Sequence, residues 1–541
     1  MPAADYYLDK LEQLLTWVER YHAALVDDSG WAFLSRFRAL PASARRLYVR
    51  LLMRRGPYFR VDRLAYEEVG AGTTAALALC LGGLARLAGP QGWQQRLGLL
   101  RVHELRPLVE QLAPELASRC QRRADWLRAC VSLGPIDENL LPQAVMLEFT
   151  ADLDLLRMLY FGNPHQDLVA FILADLGVLR FEPVPIHPAL PWRTAAQARH
   201  DLLCHQWADQ VSAWTEAVDP ECDETALMAV GAALSLPAHA PATERRRNRA
   251  LTRLATLWQR QGRGDRSLAV LASASGPPAR EKRIRLMVRD AGPEAAAVAL
   301  LALDGDGVDP AERRFFEHFD PWQGRCRPAS RSDGIRRSRM RLIRQDPAAR
   351  IEDVVAGILR SGGCQVLHLE NALIGLLLGL AFWDEIFAPL PGAFVQPFQN
   401  APLDLFEPEF ALRRAESISD RMAALACSER GAADLLEVWH RKHGTVNALV
   451  AWSRFTDAEV RHICEVLSPR VQAELCKVAL REPALLRRGF PDLLLLGGEP
   501  DRHEFIEVKG PGDVLRPEQR RWFGELSSAG LPARVIEVRW A

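Results

Sequence analysis

The chain has 541 residues, and its 68 basic and 68 acidic side chains cancel to a formal net charge of +0. A hydrophobic share of 48% with 25% charged residues excludes a disordered chain and a membrane bundle. At roughly 100 to 200 residues per domain, the length predicts several domains.

The sequence indicates neither export nor membrane insertion nor disulfide bonding. The uncharged stretch from Asn371 to Trp383 is shorter than the roughly 20 apolar residues that a membrane helix needs. Asp5 and Asp9 stand where a secretory signal has a basic flank and an apolar core. The cysteines are scattered without a Cys-x-x-Cys pair, which favours reduced thiols. We therefore expect a cytoplasmic protein with no membrane partner.

Helical periodicity dominates the first 345 residues. Leucines recur at intervals of three and four between Tyr6 and His22, and two short helices are predicted between Leu99 and Val131. A helix from Pro41 carries several arginines before the aromatic pair Tyr58 and Phe59. Arginines beside aromatics suit nucleic acid, but solvated arginines that flank a core give the same pattern, so no DNA-binding residue is assigned.

The middle of the chain repeats a helix-turn-helix pattern from about Thr194 to Asp304. Its breaks at 262–264 and 291–293 are about 30 residues apart, close to the period of tetratricopeptide arrays. A small solenoid and an irregular helical domain are both compatible with this spacing. The following segment, Arg325 to Arg344, holds eight arginines and a single acid, which fits either a phosphate backbone as partner or a solvated linker.

Near the end the pattern changes to strand, turn, strand, helix, strand. The apolar run 491–496 is stopped by a glycine pair, and a second strand, 504–509, is stopped by the turn 510–512. The two strands predict a hairpin in an α/β unit.

Asp492, Glu507 and Lys509 form a candidate catalytic cluster on this hairpin. Side chains alternate along a strand, so Glu507 and Lys509 share a face, and strand pairing brings Asp492 to the same edge. Two carboxylates at one edge are costly to bury unless a divalent cation neutralises them, and Mg²⁺ or Mn²⁺ prefers such oxygen ligands. A metal with an adjacent ammonium predicts hydrolysis of a phosphodiester, with a structural ion cluster as the alternative.

Pro-Asp, a 14-residue spacer and Glu-x-Lys make up the PD-(D/E)xK nuclease arrangement. The stretch from Gly489 to Trp540 resembles the VRR-NUC family, including 515–522, which is similar to that family's Leu-Ser-x-x-Gln-x-x-Trp helix. Arg516 replaces the usual small hydroxyl residue and weakens the helix cap, while Pro517 still favours a helix start there.

The segments 47–69, 160–181 and 370–387 are similar to the Fanconi-anaemia-associated nuclease family, so the resemblance covers most of the chain. It implies a multidomain fold that is mainly α-helical over the first two-thirds, with SAP-like and TPR-like regions, and ends in an α/β PD-(D/E)xK restriction-endonuclease-like domain. Eukaryotic members carry a ubiquitin-binding zinc finger whose cysteines are not found here, so we expect a bacterial-type member. The expected domains are an N-terminal helical domain (1–64), a helical DNA-binding region with the SAP-like element (65–185), a TPR-like region (186–320), a basic linker (321–345) and the VRR-NUC nuclease domain (346–541).

The resemblance also assigns roles around the cluster. It implies that Glu370 is a glutamate that supplies the third metal-binding carboxylate, although an acid at a helix N-terminus is also favourable for structural reasons alone. It implies the backbone carbonyl of Val508 as a further ligand and Gln519 as support, with simple packing as the alternative for Gln519. The expected catalytic residues are Glu370, Asp492, Glu507 and Lys509, and the expected metal ligands are Glu370, Asp492, Glu507 and Val508.

The function that the resemblance implies is a metal-dependent nuclease that cuts branched DNA with a 5′ flap, also has 5′ to 3′ exonuclease activity, and serves in interstrand crosslink repair near the nucleoid. Protein partners could bind the TPR-like region. No phosphate-cradling glycine pattern is present, so we expect no nucleotide cofactor. A Holliday-junction-resolvase-like endonuclease and a non-catalytic repair scaffold stay as alternatives.

Overall fold

The computed structural model describes residues 6–54, 56–166, 177–217, 223–302, 309–326, 334–342, 349–361, 365–369, 371–427, 431–497 and 503–540. Helices dominate these residues, and a five-stranded sheet lies at the end, which confirms the predicted fold class. The chain divides into two compact units, Met1–Leu176 with Trp192–Leu202, and Gly177–Pro191 with Leu203–Ala541. Among the described helices, none is both long and apolar enough to cross a membrane.

The first unit is helical with one small sheet. Its antiparallel strands are β1 (Tyr58–Arg60), β2 (Ala85–Leu87) and β3 (Ala144–Leu147), in the order β1-β3-β2. Its longer helices are Tyr6–Tyr21, Asp28–Ala39, Ala42–Leu52, Gly72–Leu81, Val102–Leu112, Arg123–Ser132 and Thr150–Phe161; the shorter ones are Ala23–Leu25, Val61–Arg63, Pro90–Gly92, Trp93–Gly98, Pro114–Ala117 and Glu138–Leu140.

Arginines of the helix Ala42–Leu52 make ion pairs inside this unit. Arg45 pairs with Glu12, and Arg50 pairs with Glu68. The guanidinium of Arg50 also lies 4.5 Å from the ring centroid of Tyr7. These contacts favour the structural alternative for both arginines, because their charge is already matched within the fold.

The second unit contains the remaining helices. They are Ala195–Glu216, whose first residues belong to the first unit, Glu224–Ala233, Pro241–Arg260, Gly264–Leu271, Ala279–Asp290, Pro293–Ala302, Pro310–His318, Ile351–Ser361, Ala372–Ala381, Trp383–Ile386, Glu409–Arg413, Ala415–Cys427, Gly431–Lys442, Asp457–Val466, Pro469–Arg481, Pro483–Leu486 and Pro517–Ser528. The predicted breaks fall at Gly262 and Gly292, which have φ of +75° and +91°, values that glycine adopts without strain. The helix-turn-helix pattern is therefore present, and its likeness to tetratricopeptide repeats stays a prediction.

A short ribbon and one larger sheet complete the second unit. The ribbon pairs β4 (Phe319–Asp320) with β5 (Arg325–Cys326), and the sheet contains β6 (Arg336–Leu342), β7 (Gln365–His368), β8 (Leu493–Leu496), β9 (His503–Lys509) and β10 (Ala533–Trp540). The sheet order is β6-β10-β9-β8-β7, with β8 and β9 antiparallel as the predicted hairpin and β6, β10 and β9 parallel. The helix Ile351–Ser361 packs on one face, and the helix Pro517–Ser528 packs on the other.

Strand β6 lies within the expected basic linker, 321–345, and belongs to the sheet. Its residues pair with β10 along the whole strand, and Leu342 at its end is buried at 8% exposure. Ser338, Met340 and Leu342 alternate with arginines and turn toward the face that the helix Ile351–Ser361 covers. This alternation is hard to recognise in the sequence because four of the seven residues are arginines. An exposed edge strand tolerates such charge.

Candidate active site

The three residues of the predicted cluster meet where β8 and β9 pair. Leu493 lies opposite Ile506, so Asp492, one residue earlier, lies beside Glu507. The Asp492 Oδ2 atom accepts a hydrogen bond of 2.9 Å from the Val508 backbone N–H. Local strand alternation therefore brings the two carboxylates together without any unusual backbone.

Glu507 is the most buried member of the cluster, with a side chain that is 1% exposed. Its Oε1 atom accepts hydrogen bonds from Lys509 Nζ, at 2.8 Å, and from Gln519 Nε2. Its Oε2 atom is buried and receives no hydrogen bond from the described residues. Asp492 faces Glu507 within hydrogen-bonding reach, but when both carboxyl groups are ionised neither has a proton to donate to the other.

Burial and charge crowding disfavour two negative carboxylates here. Burial and the neighbouring charge of Asp492 raise the pKa of Glu507 to about 8, and Lys509 opposes the shift. Burial also raises the pKa of Asp492, although the hydrogen bond from the Val508 N–H acts to lower it. A cation at this edge would relieve both penalties.

One acid near the site, Glu352, is not among the residues predicted from the sequence. Glu352 contributes to the raised pKa of Asp492 through its negative charge, so it lies within electrostatic reach of that carboxylate. It stands in the first turn of the helix Ile351–Ser361, where an acid is favourable for any helix. Because an acid at this position is expected in any helix, the sequence gives no indication that Glu352 lies near Asp492, which is 140 positions away.

The donor set fits a hard divalent cation. Asp492 and Glu507 supply carboxylate oxygens, and Glu507 Oε2 is a buried acceptor that lacks a donor. Within the described ranges no three acidic, histidine or cysteine side chains form a group that could hold a metal. Glu370, the expected third ligand, lies outside the described residues.

The residues on both sides of position 370 contact the segment that leads into β8. The Leu369 N–H donates to the Asp492 carbonyl at 2.8 Å, and the Phe490 N–H donates to Asn371 Oδ1 at 3.0 Å. Asn371 has φ of +64°, a left-handed conformation that asparagine tolerates. The apolar helix then begins at Ala372, so its start is tied to the same edge of the sheet as Asp492.

Gln519 links the helix Pro517–Ser528 to the cluster. Its Oε1 atom accepts from the Arg516 N–H at 2.9 Å, and its Nε2 atom donates to Glu507. The first bond satisfies a free N–H at the helix start, which compensates for the missing hydroxyl cap at Arg516. Trp522, one turn further, is fully buried, and its Nε1 donates to the Leu485 carbonyl at 3.3 Å. This anchor holds Gln519 against Glu507.

Gly489 permits the close approach of this helix to the start of β8. Its φ is +89°, and a Cβ atom at this position would lie 2.8 Å from the backbone carbonyl carbon of Glu518. Only glycine avoids both the strained backbone and the clash. The ring of Phe490 then packs edge-on against Trp522, with centroids 4.8 Å apart.

Comparisons with known proteins match both ends of the chain. A model described as "FAN1, HTH domain" matches residues 5–86, and a model of the VRR-NUC domain matches residues 428–540. The Fanconi-associated nuclease 1 homolog of Pseudomonas aeruginosa is 30% identical over 100% of this chain and 97% of the relative. The rice homolog is 25% identical over 99% of this chain and 63% of that relative.

Solved structures extend the similarity to the three-dimensional fold. A crystal structure of paFAN1 bound to DNA with a 2-nucleotide 5′ flap and a gap superposes with a TM-score of 0.84 and 28% sequence identity, and it covers 100% of this chain and 99% of that chain. A second paFAN1 structure, with a 1-nucleotide 5′ flap and a gap, has a TM-score of 0.83 and 28% identity, over 99% of both chains.

A VRR-NUC domain whose sheet carries the paired carboxylates defines a DNA nuclease, and enzymes with this domain are generally dependent on a divalent metal. The chain belongs to the Fanconi-associated nuclease family, because the similarity to the Pseudomonas relative extends over both full lengths. The resemblance seen in the sequence is confirmed. The roles of the individual site residues stay predictions.

Proposed function

We propose that this nuclease cuts branched DNA near a 5′ flap at the Asp492–Glu507–Lys509 cluster. The observation that supports this most directly is the buried carboxylate pair with an acceptor oxygen that no described residue satisfies. The flap substrate is carried over from paFAN1, which was crystallised with 5′-flap DNA and shares the fold over the full chain.

Asp492 and Glu507 would hold Mg²⁺ or Mn²⁺, and we keep Glu370 and the Val508 carbonyl as proposed further ligands. Support for Glu370 comes from its neighbours, since Leu369 and Asn371 bond to the segment that leads into β8. When bound, the cation supplies charge neutralisation and acidifies a water molecule.

The protein's own side chains position the reacting groups. Gln519 orients Glu507 by donating a hydrogen bond to Oε1, and the buried Trp522 fixes the helix that carries Gln519. The Lys509 ammonium lies 2.8 Å from Glu507 Oε1, where it adds positive charge beside the carboxylates. In this position it stabilises negative charge that develops on a phosphate bound at the same edge.

The biological setting follows from the same proposal. We infer 5′ to 3′ exonuclease activity and a role in interstrand crosslink repair from the family resemblance. We further propose that the enzyme acts in the cytoplasm near the nucleoid, where its proposed DNA substrate lies.

The test is single-turnover cleavage of an end-labelled 5′-flap duplex with Mn²⁺, run beside a four-way junction and an unbranched duplex. Wild type should cut the flap, and Glu507→Gln should lose at least about a hundredfold in rate because a metal ligand is more important than its supporting partners. Glu504→Gln is the matched control, because it removes an acid from the opposite face of β9. Cleavage of the junction alone, or an active Glu507→Gln variant, would contradict the proposal.

A further inference from the structure

Glu482 lies buried between two arginines that come from distant parts of the second unit. Its side chain is 2% exposed and forms ion pairs with Arg314 and Arg521. Arg314 belongs to the helix Pro310–His318, and Arg521 belongs to the helix Pro517–Ser528. One buried carboxylate therefore joins the helical region to the helix that supports the candidate active site.

Two neighbours of Glu482 bond to the same supporting helix. Arg481 Nη2 lies 2.5 Å from Glu525 Oε1, and the Leu485 carbonyl accepts the 3.3 Å hydrogen bond from Trp522 Nε1. The Arg481–Glu525 pair lies near the surface, where such pairs contribute little. Glu482 is buried, and salt and water screen a buried pair much less. Its ion pair is therefore the strongest electrostatic contact between this segment and the helix.

The supporting helix carries this contact to the candidate active site. Gln519, which donates a hydrogen bond to Glu507, stands two residues before Arg521. Residues two positions apart on an α-helix point roughly 200° apart, so Gln519 and Arg521 lie on opposite sides of the helix. The ion pair of Arg521 with Glu482 thus sets the rotation of the helix about its axis, and with it the position of Gln519 Nε2.

Arg314 is itself held within the helical region. Glu312, two residues earlier on the same helix, accepts two hydrogen bonds from Arg280, at 2.8 and 2.6 Å. Phe315, the residue after Arg314, is buried in a cluster with Ile284. The helix is therefore fixed on both sides of Arg314, which transfers its position to the buried carboxylate.

We propose that Glu482 is a positioning residue for the nuclease reaction. Arg314 fixes Glu482 from the side of the helical region, and Glu482 in turn fixes Arg521. The resulting rotation of the helix keeps Gln519 on Glu507. This inference rests on the proposed function and adds to it the residues that orient a metal ligand from outside the site. A purely structural ion pair would stabilise the fold but would leave Mn²⁺ binding by the folded protein unchanged.

The experiment measures Mn²⁺ binding by the full chain without DNA, from the electron paramagnetic resonance signal of free Mn²⁺. Loss of binding in Glu507→Gln identifies the site. Arg521→Gln should weaken this binding by about tenfold, the lower end of the effect of residues that orient metal ligands. Removal of a positive charge would by itself strengthen the binding of a cation, so weaker binding reports the position of the helix.

Two further variants complete the test of the bridge. Arg521→Lys should restore the Mn²⁺ affinity, because the charge is kept. Arg314→Gln should weaken binding by a smaller factor, because Arg314 acts through Glu482. Each single change leaves Glu482 with one arginine, so no buried charge is left unpaired and we expect the variants to fold. Urea unfolding checks this for each protein.

A control and a double variant separate positioning from general stability. Lys477→Gln should leave the affinity unchanged, since Lys477 is exposed and pairs with Glu474 on the helix that ends just before Glu482. In a Gln519→Ala background, Arg521→Gln should change the affinity by less than about twofold, because both changes act through the same hydrogen bond to the metal ligand.

The outcomes separate this role from the proposed function. An unchanged affinity in Arg521→Gln or Arg314→Gln, or a full further loss when Arg521→Gln is added to Gln519→Ala, overturns the positioning role while flap cleavage by the wild type still supports the function. A wild type that binds Mn²⁺ at Glu507 but cuts no flap DNA overturns the function alone. A wild type that does neither overturns both.

Discussion

Gln519 offers the sharpest test of how the cluster is organised. The Gln519→Ala change removes the hydrogen bond to Glu507 and the bond from the Arg516 N–H. A hydrogen bond to a charged group contributes about 1.5–3 kcal/mol, which corresponds to roughly a tenfold to hundredfold effect. We expect the cleavage rate, or the apparent affinity for Mn²⁺, to fall by that factor, as for other residues that support metal ligands.

The assay is single-turnover cleavage of flap DNA over a Mn²⁺ titration, with urea unfolding measured in parallel. Loss of the bond at the helix start should lower the free energy of unfolding by about 1 kcal/mol, a small effect beside the change in rate. Glu518→Ala is the matched control, since Glu518 is the neighbouring residue on the helix and its nearest charge, Arg488, is 3.9 Å away. If Gln519→Ala cuts as fast as the wild type at every Mn²⁺ concentration, Gln519 is only a packing residue.

Four further outcomes follow from the structure. Chelation of divalent cations should abolish cleavage and added Mn²⁺ should restore it; cleavage in chelator would refute the metal-dependent site. Gly489→Ala should lower the free energy of unfolding by about 1–3 kcal/mol and reduce cleavage, because a φ of +89° strains any residue with a side chain and the new Cβ would clash with Glu518. The control in urea unfolding is Gly524→Ala, at a glycine with open space around it. Burial lowers the pKa of His22 from 6.5 to about 4, so the unfolded state binds more protons than the folded state between these values. The free energy of unfolding should therefore fall as pH drops through this window, by about 3 kcal/mol in all. In urea unfolding at pH 7 and pH 4.5, His22→Gln should reduce this pH dependence, and an unchanged pH dependence would contradict the assignment to His22. Arg247 is fully buried, pairs with Glu244 and donates hydrogen bonds to two carbonyl groups. Arg247→Ala should therefore lower the free energy of unfolding by about 3–5 kcal/mol, whereas Arg260→Ala, a surface change on the same helix, should lower it little. Equal melting temperatures for the two variants would refute this expectation.

The parts of the fold that depend on local pattern could be predicted from the sequence. Leucine spacing predicted the helix Tyr6–Tyr21, and strand alternation predicted the β8–β9 hairpin and brought Asp492, Glu507 and Lys509 together. These features involve neighbours along the chain or two strands that are close in the sequence. Physical rules of periodicity are sufficient for them.

Contacts between distant segments could not be predicted in this way. The pairing of β6 with β10 joins residues nearly 200 positions apart, and the influence of Glu352 on Asp492 crosses 140 positions. No periodic pattern in the sequence indicates either contact. The match to the VRR-NUC model begins at residue 428, yet β6 and β7 of the same sheet come before it. Residue roles at Glu370 and Val508 stay predictions because they rest on resemblance.

The arrangement of β6 has a consequence for synthesis of the chain. Its partner β10 is made about 190 residues later, which at 5–20 residues per second means a wait of roughly 10 to 40 seconds on the ribosome. During that time a strand of ordinary apolar composition would be free to pair with other nascent chains. Arginines at four of its seven positions repel such pairing, so β6 can wait unpaired until the last strand of the sheet arrives.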